Sequence, residues 1–381
     1  MQVTPEGCIN TGEAELALFT GADSKPMTSR QRAFLDGWIP VVNDTWQDGD
    51  IRYEWQAFGV DLDGFGPKNT LIFVRLVATN TGAGKAVAHV AAGCRVSGGS
   101  RRERPGKFNP AWTHEIRDDA LWRDGRLMCV YARPDSWEAV NGTPYAGKFT
   151  GDALGMTART EAGVARYART LAPGESASFT FRMPHHTTAA ASYLAAMKAA
   201  DFDACLAKTV AFWKDTLMRR SVIHTPGEPL FERAHRATAT HVLLATRTTA
   251  DGRTQTDGLP YPDLFLTTVY DYALLYQNFG IPEYLRVNYP HFLARQQKDG
   301  LFVDTALSHG EKIFCGHGQP IAAMCDDLLR SGDKARAREL FPAIRRGIEC
   351  IMEDSHTQPH GLMRASIPYD QGSRALLPIR G

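Results

Sequence analysis

TTVYDYALLYQNFG, residues 267 to 280, decides how this chain is read, together with two later stretches, Gly316 to Asp333 (GHGQPIAAMCDDLLRSGD) and Gly361 to Asp370 (GLMRASIPYD). Each joins a helical apolar period to a carboxylate or amide at a helix end. In the first, Leu266, Val269, Ala273 and Tyr276 step by 3, 4 and 3, so they share one helix face. Gly280 after Phe279 suits a left-handed cap.

Helical periods continue on both sides. Leu230, Ala234, Ala237, His241 and Leu244 form one, and Leu285, Tyr289, Phe292 and Gln296 another. Ile321, Met324 and Leu328 follow, then Ala337, Phe341, Ile344, Ile348 and Ile351. Pro290 has no backbone donor, so its helix is kinked there or begins there. Connections alternate between short (Gly280 to Pro282) and long (Lys298 to His317). A toroid of helical hairpins with its working loops on one face has that rhythm.

Upstream the period changes to two. Leu71 to Ala78, Leu127 to Ala132 and Ser176 to Met183 read as strands. In the last, Ala177, Phe179, Phe181 and Met183 are expected on one buried face. Turn chemistry at Asn80-Thr81-Gly82, Asp124-Gly125 and Pro173-Gly174-Glu175 punctuates the region. The expected fold class is therefore β then α. Residues 1–190 form an antiparallel β-sandwich, Ala-rich 191–223 a linker helix region, and 224–381 a partial helical-hairpin domain.

With 381 residues and 43% hydrophobic content, the chain can bury a large core. Its 43 Lys and Arg balance 42 Asp and Glu, which gives no electrostatic footprint for nucleic acid or an anionic membrane. A neutral partner such as a sugar fits that balance. No apolar run approaches the roughly 20 residues of a membrane span, and MQVTPEGCIN does not read as an export signal. The seven cysteines are scattered and odd in number, with no close CxxC pair, so buried free thiols are expected rather than disulfides or zinc. No cofactor or metal is expected.

The candidate site residues gather at helix ends. Asp257, Asp263 and Asp271, with Tyr261 and Tyr270, make a polar-aromatic cluster. Sugars want this mixture, since an aromatic ring covers the C–H face of a pyranose while a carboxylate accepts from two vicinal hydroxyls. Asp263 reads equally well as a helix cap. Asp271 falls inside the helical period, where a lone Asp is unfavourable unless it faces solvent or serves a site. His317 and Gln319 could hydrogen-bond hydroxyls from the start of the next helix, or His317 could simply cap it. A metal held by Cys315 and His317 lacks a partner pair of ligands. Asp370, beside Ile367, Pro368 and Tyr369, sits in a setting that would raise the pKa of a proton-donating carboxylic acid, or is one more turn Asp.

The sandwich-then-helices order and these three clusters resemble the six-hairpin glycosidase superfamily. That group includes glucoamylase, trehalase, processing α-glucosidase I, rhamnosidases and the maltose and cellobiose phosphorylases. The resemblance implies an N-terminal β supersandwich, a linker helix and an (α/α)6 barrel. It also implies a carboxylate-catalysed, inverting glycoside hydrolase, with Asp271 as a sugar ligand and Asp370 as proton donor. Gly318, Gln319, Gly332 and Asp333 match the stretch that forms the next inner helix. An oligosaccharide or glycoside is the implied partner, and many relatives are exported.

Six hairpins need roughly 300 residues after the linker. About 160 follow His224, so a partial barrel of about three hairpins is expected, lacking the general base that inversion requires. Two other readings stand beside hydrolysis. One is phosphorolysis on the same scaffold. The other is a non-catalytic carbohydrate-binding protein with Trp38, Trp46, Trp55, Trp112 or Trp122 as stacking platforms, unless those rings are core.

Overall fold

The computed structural model describes residues 1–3, 7–11, 13–26, 32–65, 69–96, 114–139, 163–218, 223–249, 252–256, 264–303 and 316–362. Two compact units emerge, Met1–Asp215 and Thr216–Gly381. The order is β then α, as the periodicity implies.

The first unit holds two antiparallel sheets. Its strands are β1 (Gln2–Val3), β2 (Ile9–Asn10), β3 (Ala14–Thr20), β4 (Lys25–Pro26), β5 (Ala33–Leu35), β6 (Ile39–Asp48), β7 (Ile51–Asp61) and β8 (Thr70–Asn80). They continue with β9 (Ala86–Val96), β10 (His114–Arg117), β11 (Ala120–Arg123), β12 (Arg126–Val130), β13 (Ser136–Ala139), β14 (Gly163–Leu171) and β15 (Ser176–Pro184). Among the described residues one sheet runs β1-β2-β3-β9-β14-β13, with β4 on β3, and the other β10-β11-β12-β15-β8-β7-β6-β5.

Period-two residues fill the space between the sheets. Phe179, Phe181 and Met183 of β15 are buried, as expected, against Trp46, Tyr53 and Trp55 from β6 and β7. Burying each such side chain is worth roughly 1.5–3 kcal/mol. Trp46 and Tyr53 stack with ring centroids 5.2 Å apart. The β11–β12 turn falls at Asp124-Gly125, where φ values of 48° and 73° supply the primed geometry that keeps a hairpin's twist.

Beyond Ala57 on β7 and before Arg75 on β8 the alternation fails, because both faces are covered. Phe58 and Phe73 are buried outside the inter-sheet core. Helix α1 (Ala191–Ala199) and helix α2 (Phe202–Met218) supply the cover. Phe202 meets Phe58 and Phe73 edge-on at 5.1 and 5.4 Å. The Tyr193 hydroxyl donates to the Asn69 carbonyl at 2.8 Å. Ala-rich residues 191 onward thus start by packing on the outer face of a sheet.

In the second unit, α3 spans Pro229–Leu244, followed by the β16 (Arg247–Thr249) and β17 (Gly252–Thr254) hairpin. A 3-10 turn at Leu266–Thr268 leads into α4 (Val269–Asn278), then α5 (Glu283–Arg286), α6 (Tyr289–Leu293), α7 (Gly318–Ser331) and α8 (Lys334–His356). Leu266, Val269, Ala273 and Tyr276 are all buried, as their period requires. Pro290 lies in the first turn of α6, so a new helix starts there rather than a long one bending.

Two faces differ from expectation. In α3 the buried side chains are Ala239, Thr240 and Leu243, while Leu230 is 67% exposed. The Leu-Ala-Ala-His-Leu stripe offered little apolar area, and the helix instead stacks His235 on Phe279 at 4.3 Å. In α8 the buried face is Leu340, Ala343, Ile344 and Gly347, which leaves Phe341 and Ile348 outside. Gly347 decides this, because a Cβ there would sit 2.7 Å from Cδ1 of Ile321, so the helix approaches α7 along that line.

Candidate functional site

The starts of α4 and α7 lie together. Oε1 of Gln319, in the first turn of α7, accepts the backbone N–H of Tyr270 in the first turn of α4, at 2.9 Å. Just before α7, a Cβ on Gly316 would stand 3.1 Å from Cβ of Leu266 and 3.3 Å from the Thr267 nitrogen. The bare glycine permits that approach. One helix's amide therefore caps the other helix's free N–H end.

Asp271 projects from this junction. It is exposed, in the first turn of α4, where unpaired N–H groups and the helix dipole favour a carboxylate. The 3-10 turn shifts the helix start to Val269, so Asp271 is not the mid-helix residue that the sequence period suggests. Its position thus needs no site to justify it. The Tyr270 ring beside it is half-buried, and Oγ1 of Thr267 is buried with no hydrogen-bond partner among the described residues. Tyr270, Asp271 and Gln319 are the predicted residues that the structure brings to one place.

His317 belongs to the core beneath them. The residue is 0% exposed; its Nδ1 accepts the Phe302 N–H at 2.9 Å, and its Nε2 faces the Gly347 carbonyl at 3.0 Å. The second contact requires a proton on Nε2, which fixes a neutral tautomer. Burial also holds its pKa below the usual imidazole value. Both ring nitrogens are committed to backbone. The expected hydroxyl contact is therefore corrected: His317 ties the segment before α7 to α8 and has no nitrogen left for a sugar.

Gly332 and Asp333 stand at the far end of α7, about 20 Å from Gln319 along a helix of 14 residues. Gly332 closes α7 at φ 63°, and the Asp333 side chain caps α8 by accepting from the Ala335 and Arg336 N–H groups. They form a turn apart from the site. Tyr261, Asp263 and Asp370, along with Asp257, Cys315 and Trp112, lie outside the described residues.

Polar residues that sequence reasoning did not select hold the surrounding frame. Asp327 accepts from Arg286 at 2.8 Å and from the Tyr289 hydroxyl at 2.7 Å, which joins α5, α6 and α7. An Asp on the core face of the α7 period was the available signal. Gln255, Tyr276 and Asn288 form a second buried network, in which the Gln255 N–H donates to Oδ1 of Asn288 at 2.7 Å.

Trp38, Trp46, Trp55 and Trp122 are buried, so they serve as core and not as stacking platforms. Among the described residues no group of three or more His, Cys, Asp or Glu could hold a metal, and no helix is long and apolar enough to cross a membrane.

No described protein family and no curated protein matches the chain. Among solved structures, a putative kojibiose phosphorylase from the human microbiome is similar at a TM-score of 0.49 and 10% identity, over 89% of this chain and 48% of that one. A family GH92 inverting mannosidase from Bacteroides thetaiotaomicron VPI-5482 gives 0.39 and 10%, over 90% and 45%. A family GH92 alpha-mannosidase from Bacteroides thetaiotaomicron gives 0.35 and 10%, over 90% and 49%. The chain spans about half the length of the structures it matches. Its chemistry is therefore to be read from its own side chains.

Proposed function

We propose that this chain is part of a glycoside-active enzyme, a glycosidase that contacts its sugar at the joined starts of α4 and α7. The observation that carries the reading is the Gln319–Tyr270 junction, which holds an exposed carboxylate, a half-buried phenol ring and an amide in one place. Asp271 accepts from vicinal hydroxyls, Tyr270 covers the C–H face, and the Nε2 amide of Gln319 donates to a ring substituent. The fixed junction orients these groups before the ligand arrives, so less freedom is lost on binding. His317 acts beneath them as support.

The rest of the reading extends the same rim. The helices form part of an (α/α)6 toroid, Tyr261 and Asp263 add contacts, and Asp370 protonates the glycosidic oxygen. Inversion requires a second carboxylate about 6.5–9.5 Å from that acid, acting on water. Phosphorolysis would replace that water with phosphate.

Turnover of a panel of α- and β-aryl glycosides, with and without inorganic phosphate, tests this on the chain and on any longer protein that contains it. The expected result is hydrolysis of one glycoside class, lowered at least ~100-fold by Asp370→Asn, with Asp271→Ala acting chiefly on KM. Strict phosphate dependence with release of a sugar phosphate would assign phosphorolysis instead. Full activity in Asp370→Asn would remove the acid assignment.

A further inference from the structure

The outer face of the sheet that holds β6, β7 and β8 carries a polar cleft beside the cover supplied by α2. On that face Phe58 and Phe73 form a cross-strand row, and Phe202 packs on both. The next two rows are Asn43, Gln56 and Arg75, then Thr45, Glu54 and Val77. Together these side chains line a cleft of about 230 Å³. Sites that enclose drug-sized ligands hold about 300–1,000 Å³, so this one suits a smaller occupant. Residues directly opposite on paired strands have Cβ atoms about 4.5–5.5 Å apart, and a single ring can touch two strands at once.

The polar groups are held in place before any ligand arrives. Nε2 of Gln56 donates to Oδ1 of Asn43 at 2.8 Å, and Nδ2 of Asn43 donates to the Val41 carbonyl at 3.1 Å. That leaves the Gln56 carbonyl to accept. Arg75 lies over the Phe202 ring at 3.8 Å and pairs with Asp203 at 2.9 Å, while its guanidinium has further N–H groups to donate. Glu54 pairs with Arg52 at 3.2 Å through one carboxylate oxygen and offers the other. Each charge that lines the cleft is therefore balanced by a neighbour. A charged ligand gains little there. A neutral polyol meets acceptors on Gln56 and Glu54, donors on Arg75, and a Thr45 hydroxyl that does both. Val77 gives its C–H edge an apolar contact.

We propose that this cleft is a second saccharide site, one that takes a single neutral sugar ring on the β unit. Fixed side chains lose little freedom when such a ligand binds. The choice of a sugar among neutral polyols rests on the glycoside-active reading, but the cleft shares no residue with the junction of α4 and α7.

Methyl NMR of the 381-residue chain with carbon-13-labelled valine tests it, with the Val77 signals assigned by Val77→Ala. The titrants are a panel of neutral mono- and disaccharides, with inorganic phosphate as the charged probe. The Val77 methyls are expected to shift to saturation with one saccharide class and to stay still with phosphate. The midpoint is expected to be unchanged in Asp271→Ala/Gln319→Ala. Gln56→Ala and Glu54→Ala are each expected to raise it at least about fivefold, with the other valine signals in place. Val77 methyls that ignore every saccharide overturn the proposal, as do methyls that move with phosphate or keep their midpoint in both cleft variants. Movement that disappears in Asp271→Ala/Gln319→Ala overturns it too. Calorimetric saccharide binding that Asp271→Ala weakens, with Val77 still, would sink this site and leave the junction standing.

Discussion

At the residue scale, the buried imidazole of His317 couples stability to pH. Above pH 6.5, its ordinary value, folded and unfolded chains both carry the neutral ring. Below it the unfolded chain takes up a proton that the folded one refuses, so stability is complete above 6.5 and is lost as pH falls toward the lowered folded value. His185 acts with the same sign, held down to about 4 first by burial and then by the neighbouring N-terminal amine and His186. The unfolding midpoint should fall between pH 6.5 and about 4. A thermal series should show His317→Asn less stable at neutral pH yet flatter across the upper part of that window; an unchanged slope would remove His317 from the account. The sequence marks His317 as notable because it stands at a helix start. Its role was not legible there, since its hydrogen-bond partners Phe302 and Gly347 are 15 and 30 positions away.

At the element scale, the helices of the second unit are held by a carboxylate and a glycine. Asp327 sits in the interior with the Arg286 guanidinium and the Tyr289 hydroxyl, whose pKa is raised by burial and then by that hydrogen bond. Asp327→Ala leaves both partners without their acceptor. It should lower the unfolding free energy by about 3 kcal/mol, the lower end for a broken buried pair because Arg286 keeps some access to water. Chemical denaturation measures this, and a loss under about 1 kcal/mol would place the pair among surface bridges. Gly300 has φ 92°, and a Cβ there would fall 2.1 Å from the Arg346 carbonyl oxygen. Gly300→Ala should therefore cost at least about 2 kcal/mol, against near neutrality if the turn were free to move. Helix existence was legible from period, whereas Pro290 left a kink or a start open, and the structure shows the start. Helix faces were less so: the α8 stripe of Ala337, Phe341, Ile344, Ile348 and Ile351 counted apolar residues, whereas the close approach at Gly347 chose the buried side.

At the scale of the whole molecule, the change from period two to helical period marks the order of antiparallel β-sheets followed by helices. The structure's two compact units divide at Asp215, after α1 and most of α2. What the period could not give was the cover of α1 and α2 on the outer sheet face, which buries Phe58 and Phe73 from the side that alternation assigns to water. Of the candidate site, the sequence brought out Tyr270 and Asp271 from the Asp257–Asp271 stretch and Gln319 from Gly316–Gln319, but not the hydrogen bond that joins Tyr270 to Gln319 across 49 positions. That junction is the proposed sugar contact. Calorimetric titration of the wild type, Asp271→Ala and Gln319→Ala with a panel of di- and oligosaccharides tests it most directly. The account predicts that one class of saccharide binds and that each substitution weakens it at least about tenfold, or roughly 1.4 kcal/mol. Binding to the wild type that is indifferent to both substitutions, or no binding by any saccharide, would contradict it.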